Sequence, residues 1–161
     1  MPTFETTVVV AVRPEVVWPV LADVVAWPSW TPTVSRVEAL EHPQLAVGRR
    51  FRVEQPGLRP AIWTVVSLEP YRQFSWRMSS LGVAVVGAHR IIPWSESATR
   101  VTLAVSIDGL LGKLVWALAG ATIRAYVQQE ASSLVERCLR EPSSPKSIPA
   151  KPVPRTPGLH R

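Results

Sequence analysis

Cysteine is almost absent: Cys138 is the single one in 161 residues. No disulfide can close within the chain, which excludes a disulfide-stapled scaffold. No cysteines and histidines cluster at metal-ligand spacing, so neither a structural zinc site nor any other metal or cofactor is expected. A signal peptide is also lacking. Met1-Pro2-Thr3-Phe4-Glu5 has neither a basic start nor a long apolar run, and together with the lone thiol this leads us to expect a cytoplasmic protein. The least polar stretch, 109–123, contains only Lys113 as a charge but is shorter than the roughly 20 residues needed to span a bilayer. Basic charge on the folded part is scarce too. The net charge is +6, yet residues 140–161 carry five Lys/Arg against one acid (+4), and residues 1–139 carry 13 against 11 (+2). A nearly neutral domain without a nucleic-acid-reading motif does not suit DNA or RNA, so no nucleic-acid partner is expected. There is no internal repeat.

Apolar residues and proline are plentiful. Hydrophobic residues make up 47% of the chain, enough for one sizeable core and against disorder over the whole length. Six of the sixteen prolines fall in residues 141–161. We therefore expect a domain over 1–140 followed by a disordered, proline-rich basic tail over 141–161. Pro149-Ala150-Lys151-Pro152 and Pro154-Arg155-Thr156-Pro157 have PxxP spacing, which in polyproline II form suits an aromatic-lined partner. A solvated tail without a partner is the plainer reading.

The domain opens with a strand at about 3–12, where Phe4, Thr6, Val8, Val10 and Val12 share a face. Pro14 opens a short helix carrying Val17, Leu21 and Val24, and Pro19 should shorten or kink it. Trp27-Pro28-Ser29-Trp30-Thr31-Pro32 suits a second brief helix or tight loop. Strands follow at roughly 34–41, 49–55, 61–69, 73–79, 83–94 and 99–108. Turn residues such as Pro56-Gly57 and Ser80-Leu81-Gly82 separate them, which implies an antiparallel meander. From Gly109 to about Arg140 the period changes to near 3.6, with Trp116, Gly120, Ile123, Val127, Ala131, Leu134 and Cys138 on one stripe. A long helix with one apolar face, following a one-sided sheet, should lie across that sheet.

The order and spacing of these elements resemble the START-like (SRPBCC) superfamily, and within it the polyketide cyclase/dehydrase and lipid-transport group. The residues that carry the resemblance are Arg13-Pro14-Glu15-Val16-Val17-Trp18 with Leu21 and Asp23, then Trp27-Pro28-Ser29-Trp30-Thr31-Pro32. Ala88-His89-Arg90-Ile91-Ile92-Pro93, Thr99-Arg100-Val101-Thr102 and Asp108-Gly109-Leu110-Leu111 continue it. The match covers about residues 3–139; Pro19 in the first helix and Ala98 at a turn depart from it. The resemblance implies an α+β helix-grip fold. About seven curved antiparallel strands wrap around a long C-terminal helix, with two short helices after the first strand and a cavity for a hydrophobic ligand.

Seven tryptophans supply broad apolar walls with a polar N–H, although each also suits a plain core position. The expected ligand-binding set is Trp27, Trp30, Phe51, Trp63, Trp76 and Met78 with His89, Ile91 and Leu103, completed by Trp116, Gly120 and Ile123 on the helix. Entry is expected near the Trp27–Trp30 loop. Small Ala117, Gly120, Ala121 and Ala125 should leave space under the sheet.

Catalytic candidates are few. His89, mid-strand, is the best, since histidine moves protons near neutral pH; Tyr126 is a weaker one. A histidine bonded within the sheet or facing water is the plainer reading. Arg77 and Arg90 have the charge to polarise an oxyanion, but Arg77 alternates opposite Trp76 and Met78 and should face solvent. No nucleophile elbow or triad is present. Leu110, Leu111 and Leu114 are expected to pack on the sheet's edge, with transient contact to an anionic membrane surface beside Lys113 as the alternative. The expected function is binding or transport of a small hydrophobic ligand such as a lipid, polyketide or isoprenoid. A cyclase or dehydratase using His89, or an interaction protein acting through its tail, are the alternatives. Oligomeric state stays open between monomer and homodimer.

Overall fold

In a computed structural model, which describes residues 1–140, the chain forms seven strands, two α-helices and a short 3-10 helix. The expected tail over 141–161 lies outside the described residues. Thr3–Val10 (β1) leads into Pro14–Ala22 (α1) and the 3-10 helix Val24–Ser29. Strands β2 (Arg36–Ala39), β3 (Arg50–Glu54), β4 (Ala61–Glu69), β5 (Gln73–Ser80), β6 (Val83–Ser95) and β7 (Ala98–Gly109) follow, and Gly112–Arg140 (α2) closes the fold. All strand pairings are antiparallel, in the order β1-β7-β6-β5-β4-β3-β2. Consecutive strands are neighbours, except that β1 closes on β7.

Alternation carries the sheet. In β7, Thr99, Val101, Leu103, Val105 and Ile107 are buried while the residues between them are half-buried. One face therefore meets a core. The β5–β6 hairpin turns through Leu81 (φ 48°) and Gly82 (φ 75°), the two left-handed positions that match the twist of adjoining strands. Beside it, Gly109 ends β7 at φ 104°, where an added Cβ would lie 2.1 Å from Gly82 O. That conformation also explains why α2 begins at Gly112 rather than at Gly109.

As expected, α1 is short, with nine residues, and it runs past Pro19 to Ala22. The Asp23 N–H closes on Pro19 O at 3.3 Å, and the Trp27 indole Nε1–H donates to Leu21 O at 3.1 Å. A buried aromatic thus satisfies a helix-end carbonyl. Strand β2 is shorter than expected because the chain before it is tied by other bonds. The Thr31 and Thr33 hydroxyls pair at 2.9 Å, and Gln55 Nε2 donates to Thr33 O at 3.2 Å.

The apolar residues of α2 divide the helix in two. Ala131, Leu134 and Cys138 are fully buried in the core with Val10, Leu21 and Val101, whereas Trp116, Ile123 and Val127 are only half-buried. The second half of α2 seals the sheet, and the first half stands away from it. Leu110, Leu111 and Leu114 do not pack on the sheet's edge as expected; all three are exposed.

Replacing Gly109 tests the junction that joins the hairpin to α2. Gly109→Ala is expected to lower the unfolding free energy by more than about 2 kcal/mol, read by urea denaturation. An unchanged midpoint would show that the junction relaxes freely.

Candidate ligand cavity

Between the concave face of the sheet and the first half of α2 lies a cavity of about 280 Å³. Its sheet wall follows from strand register. Trp76, Gly87 and Val105 lie side by side across β5, β6 and β7, as do Met78, Val85 and Ile107, so residues two apart face the same space. Trp63 on β4 and Val53 on β3 continue the wall, and Val115, Ala119, Ile123 and Val127 form the helix side.

Gly87 has a specific role in this wall. A Cβ there would stand 2.7 Å from Trp76 Nε1. Its absence lets the Trp76 ring lie flat across the cross-strand position, 5.3 Å from the Trp63 ring. Trp27 closes the inner end, with its ring 5.3 Å from both Trp76 and His89.

The lining has one buried ionisable pair. His89 Nε2 lies 3.2 Å from Glu130 Oε1, with side chains only 6% and 14% exposed. Phe74 stacks on the imidazole at 4.3 Å and 9°, which fixes the ring plane. His89 Nδ1 is buried without a hydrogen-bond partner in the protein. In the neutral tautomer with Nε2–H donating to the carboxylate, Nδ1 is a lone-pair acceptor; in the imidazolium it is a second donor.

The remaining polar lining is Gln55, Arg59 and Tyr126. The Tyr126 hydroxyl donates to Pro56 O and so ties α2 to the β3–β4 connection, while Gln55 is occupied by Thr33 O. Leu58 and Arg59 are exposed lining residues, so the mouth opens between that connection and α2. The expected entry at the Trp27–Trp30 loop is corrected: Trp27 is 1% exposed and forms the closed end.

Of the residues expected to bind ligand, Trp27, Trp63, Trp76, Met78, His89, Leu103 and Ile123 line the cavity, as does the catalytic candidate Tyr126. Five others do not. Phe51 and Ile91 are buried in the core. Trp30 packs behind Trp27 at 5.7 Å and borders a separate surface groove with Pro19 and Arg137. The half-buried Trp116 lies over Gly120, where a Cβ would meet its ring at 3.3 Å, and the Arg124 guanidinium sits 5.4 Å from that ring. Gly120 thus accommodates Trp116 rather than a ligand. Ala117, Ala121 and Ala125 face solvent, and the small residue that makes room is Ala119. Arg77 and Arg90 are exposed.

Glu130 is the chief residue that sequence reasoning missed. A signal existed: it is the only acid between Asp108 and Glu136, one turn beyond Tyr126 on the same face. Gln55, Leu58 and Arg59 lie on a connection where no periodicity marks orientation. Among the described residues no three His, Cys, Asp or Glu side chains are grouped to hold a metal ion, and no described helix is long and apolar enough to cross a membrane.

Gly87→Ala tests how tightly Trp76 is held. It is expected to cost about 1–3 kcal/mol by forcing the indole off its seat, with an altered near-UV circular dichroism spectrum. Retention of both the wild-type stability and the wild-type spectrum would refute the tight seating.

Comparison with known proteins places this geometry. An uncharacterized protein of Mycobacterium tuberculosis is 31% identical over 85 residues, which is 53% of this chain and 51% of that protein. The chain thus spans about half the length of the curated relatives it matches. A START superfamily protein from Mycobacterium smegmatis superposes with a TM-score of 0.64 at 21% identity, covering 85% of this chain and 97% of that one. The Zhui aromatase/cyclase from a Streptomyces species gives 0.67 at 22% identity, covering 86% and 94%. These likenesses show the helix-grip fold. The family model for polyketide cyclase/dehydrase and lipid transport matches residues 1–138, nearly all of the described chain, and the protein belongs to that family.

Proposed function

We propose that the protein binds one small, compact, largely apolar molecule under α2, with a polar group of that molecule against His89 and Glu130. The observation that carries this reading is an apolar-walled cavity interrupted by a single buried ionisable pair. Size argues for compactness. A cavity of about 280 Å³ falls just below the roughly 300–1,000 Å³ usual for ligand sites, which suits a ring system or short isoprenoid better than a two-chain lipid. Trp63 and Trp76 offer flat walls for such a molecule. Trp27 contributes its face alone, since its N–H is committed to Leu21 O.

A second reading, proton transfer to the bound molecule, is favoured by the His89–Glu130 bond. Loss of water from a β-hydroxy carbonyl needs a base to take the α-proton and an acid to return a proton to the departing hydroxyl. An imidazole backed by a carboxylate serves both steps in turn. The aromatase/cyclase likeness supports this reading only through the shared fold. On this reading the protein acts in the cytoplasm.

Native mass spectrometry and tryptophan quenching against aromatic polyketides, isoprenoids and lipids test the first reading. Saturable quenching is expected. Ala119→Trp, which fills the cavity from the helix side, should weaken binding by more than about tenfold. No adduct and no saturable quenching anywhere in the panel would overturn it. For the second reading, Glu130→Gln should reduce turnover of a polyketide-like substrate by about 100-fold or more while affinity changes by less than about tenfold. Full turnover by Glu130→Gln would exclude the pair from the chemistry.

A further inference from the structure

The three most exposed large apolar side chains among the described residues lie at one end of the molecule. Leu110 is 98% exposed, Leu81 84% and Leu118 80%. Leu81 is at the tip of the β5–β6 hairpin, whose Gly82 abuts Gly109, and Leu110 follows directly. Leu111, Leu114 and Leu118, with Ala121 and Ala125 beyond them, recur at helical spacing and share the outer face of α2; all five are exposed. Scattered surface leucines are ordinary, but a contiguous apolar edge marks a contact.

Charge identifies what meets it. Residues 109–129 contain Lys113 and Arg124 and no acid. Eleven positions apart, about three turns, the two cations flank the leucine face on the same side. Pairing with a second copy across this face would bring four cations together against only two carboxylates, the exposed Asp108 of each chain, whose Oδ1 already accepts from its own Gly109 N–H at 2.7 Å. An anionic lipid surface fits both features: leucines enter the acyl boundary while the lysine and arginine heads reach the phosphates.

We infer that this leucine edge docks the protein on an anionic membrane surface. The inference goes beyond the ligand reading and stands on the exposed face alone.

The test uses the full chain with sucrose-loaded vesicles of phosphatidylcholine, with and without about one-third phosphatidylglycerol. Co-sedimentation with the anionic vesicles is expected, weakened about tenfold on pure phosphatidylcholine or in about 1 M NaCl. Leu110→Gln, Leu114→Gln and Leu118→Gln together should lower partitioning by at least about tenfold with an unchanged circular dichroism spectrum. Lys146→Gln, Lys151→Gln and Arg155→Gln together should leave most of the leucine-dependent binding in place. Undiminished binding by the leucine variant, or abolition by the tail variant alone, overturns the inference in favour of the basic tail. A dimer in solution that the leucine substitutions dissociate, without vesicle binding, overturns it in favour of a second copy.

Discussion

A sheet with one apolar face has to be covered, and here a single helix does the covering over only half its length. The second half of α2 is pinned by Ala131, Leu134 and Cys138 in a core shared with α1, β1 and β7. The first half runs on over the concave face of the sheet with room left beneath it. With Ala119 rather than a large side chain at the centre of that half, the space stays open. At about 24 cal/mol per Å³, a void of about 280 Å³ forfeits at most several kcal/mol of packing, an upper bound because water enters through the mouth. That is comparable with the whole stability of a domain, about 5–15 kcal/mol. The fold thus gives up packing to keep this space.

Aromatic residues compensate by making the inner end rigid. Trp27 binds Leu21 O at the end of α1 and contacts Trp76 and His89 at once. Phe74 holds the plane of His89, and Gly87 lets Trp76 lie flat. The ionisable pair is thereby built from two separately anchored elements, β6 and α2. Tyr126 ties the same helix to the β3–β4 connection beside the mouth. One helix face therefore supplies a cavity wall, half of the polar pair and one side of the entrance, while its opposite face carries the exposed leucines.

Local pattern determined much of this by itself. Two-residue alternation located the strands, the change to a 3.6-residue period located α2, and Pro14 marked the start of α1, because these signals depend on neighbours along the chain. Inward parity placed Trp76 and Met78 on the cavity side for the same reason, whereas it left His89 open between the cavity, a bond within the sheet and water. The structure decided how far along each inward stripe the core ends and the cavity begins. Phe51 and Val53 share a face, as do His89 and Ile91, yet only Val53 and His89 line the cavity. The way α2 crosses the curved sheet draws that line, and it is not written in a period. The meeting of His89 with Glu130, 41 positions apart, and the seating of Trp116 on Gly120 belong to the same class. They depend on how elements lie across one another, which only the tertiary structure sets.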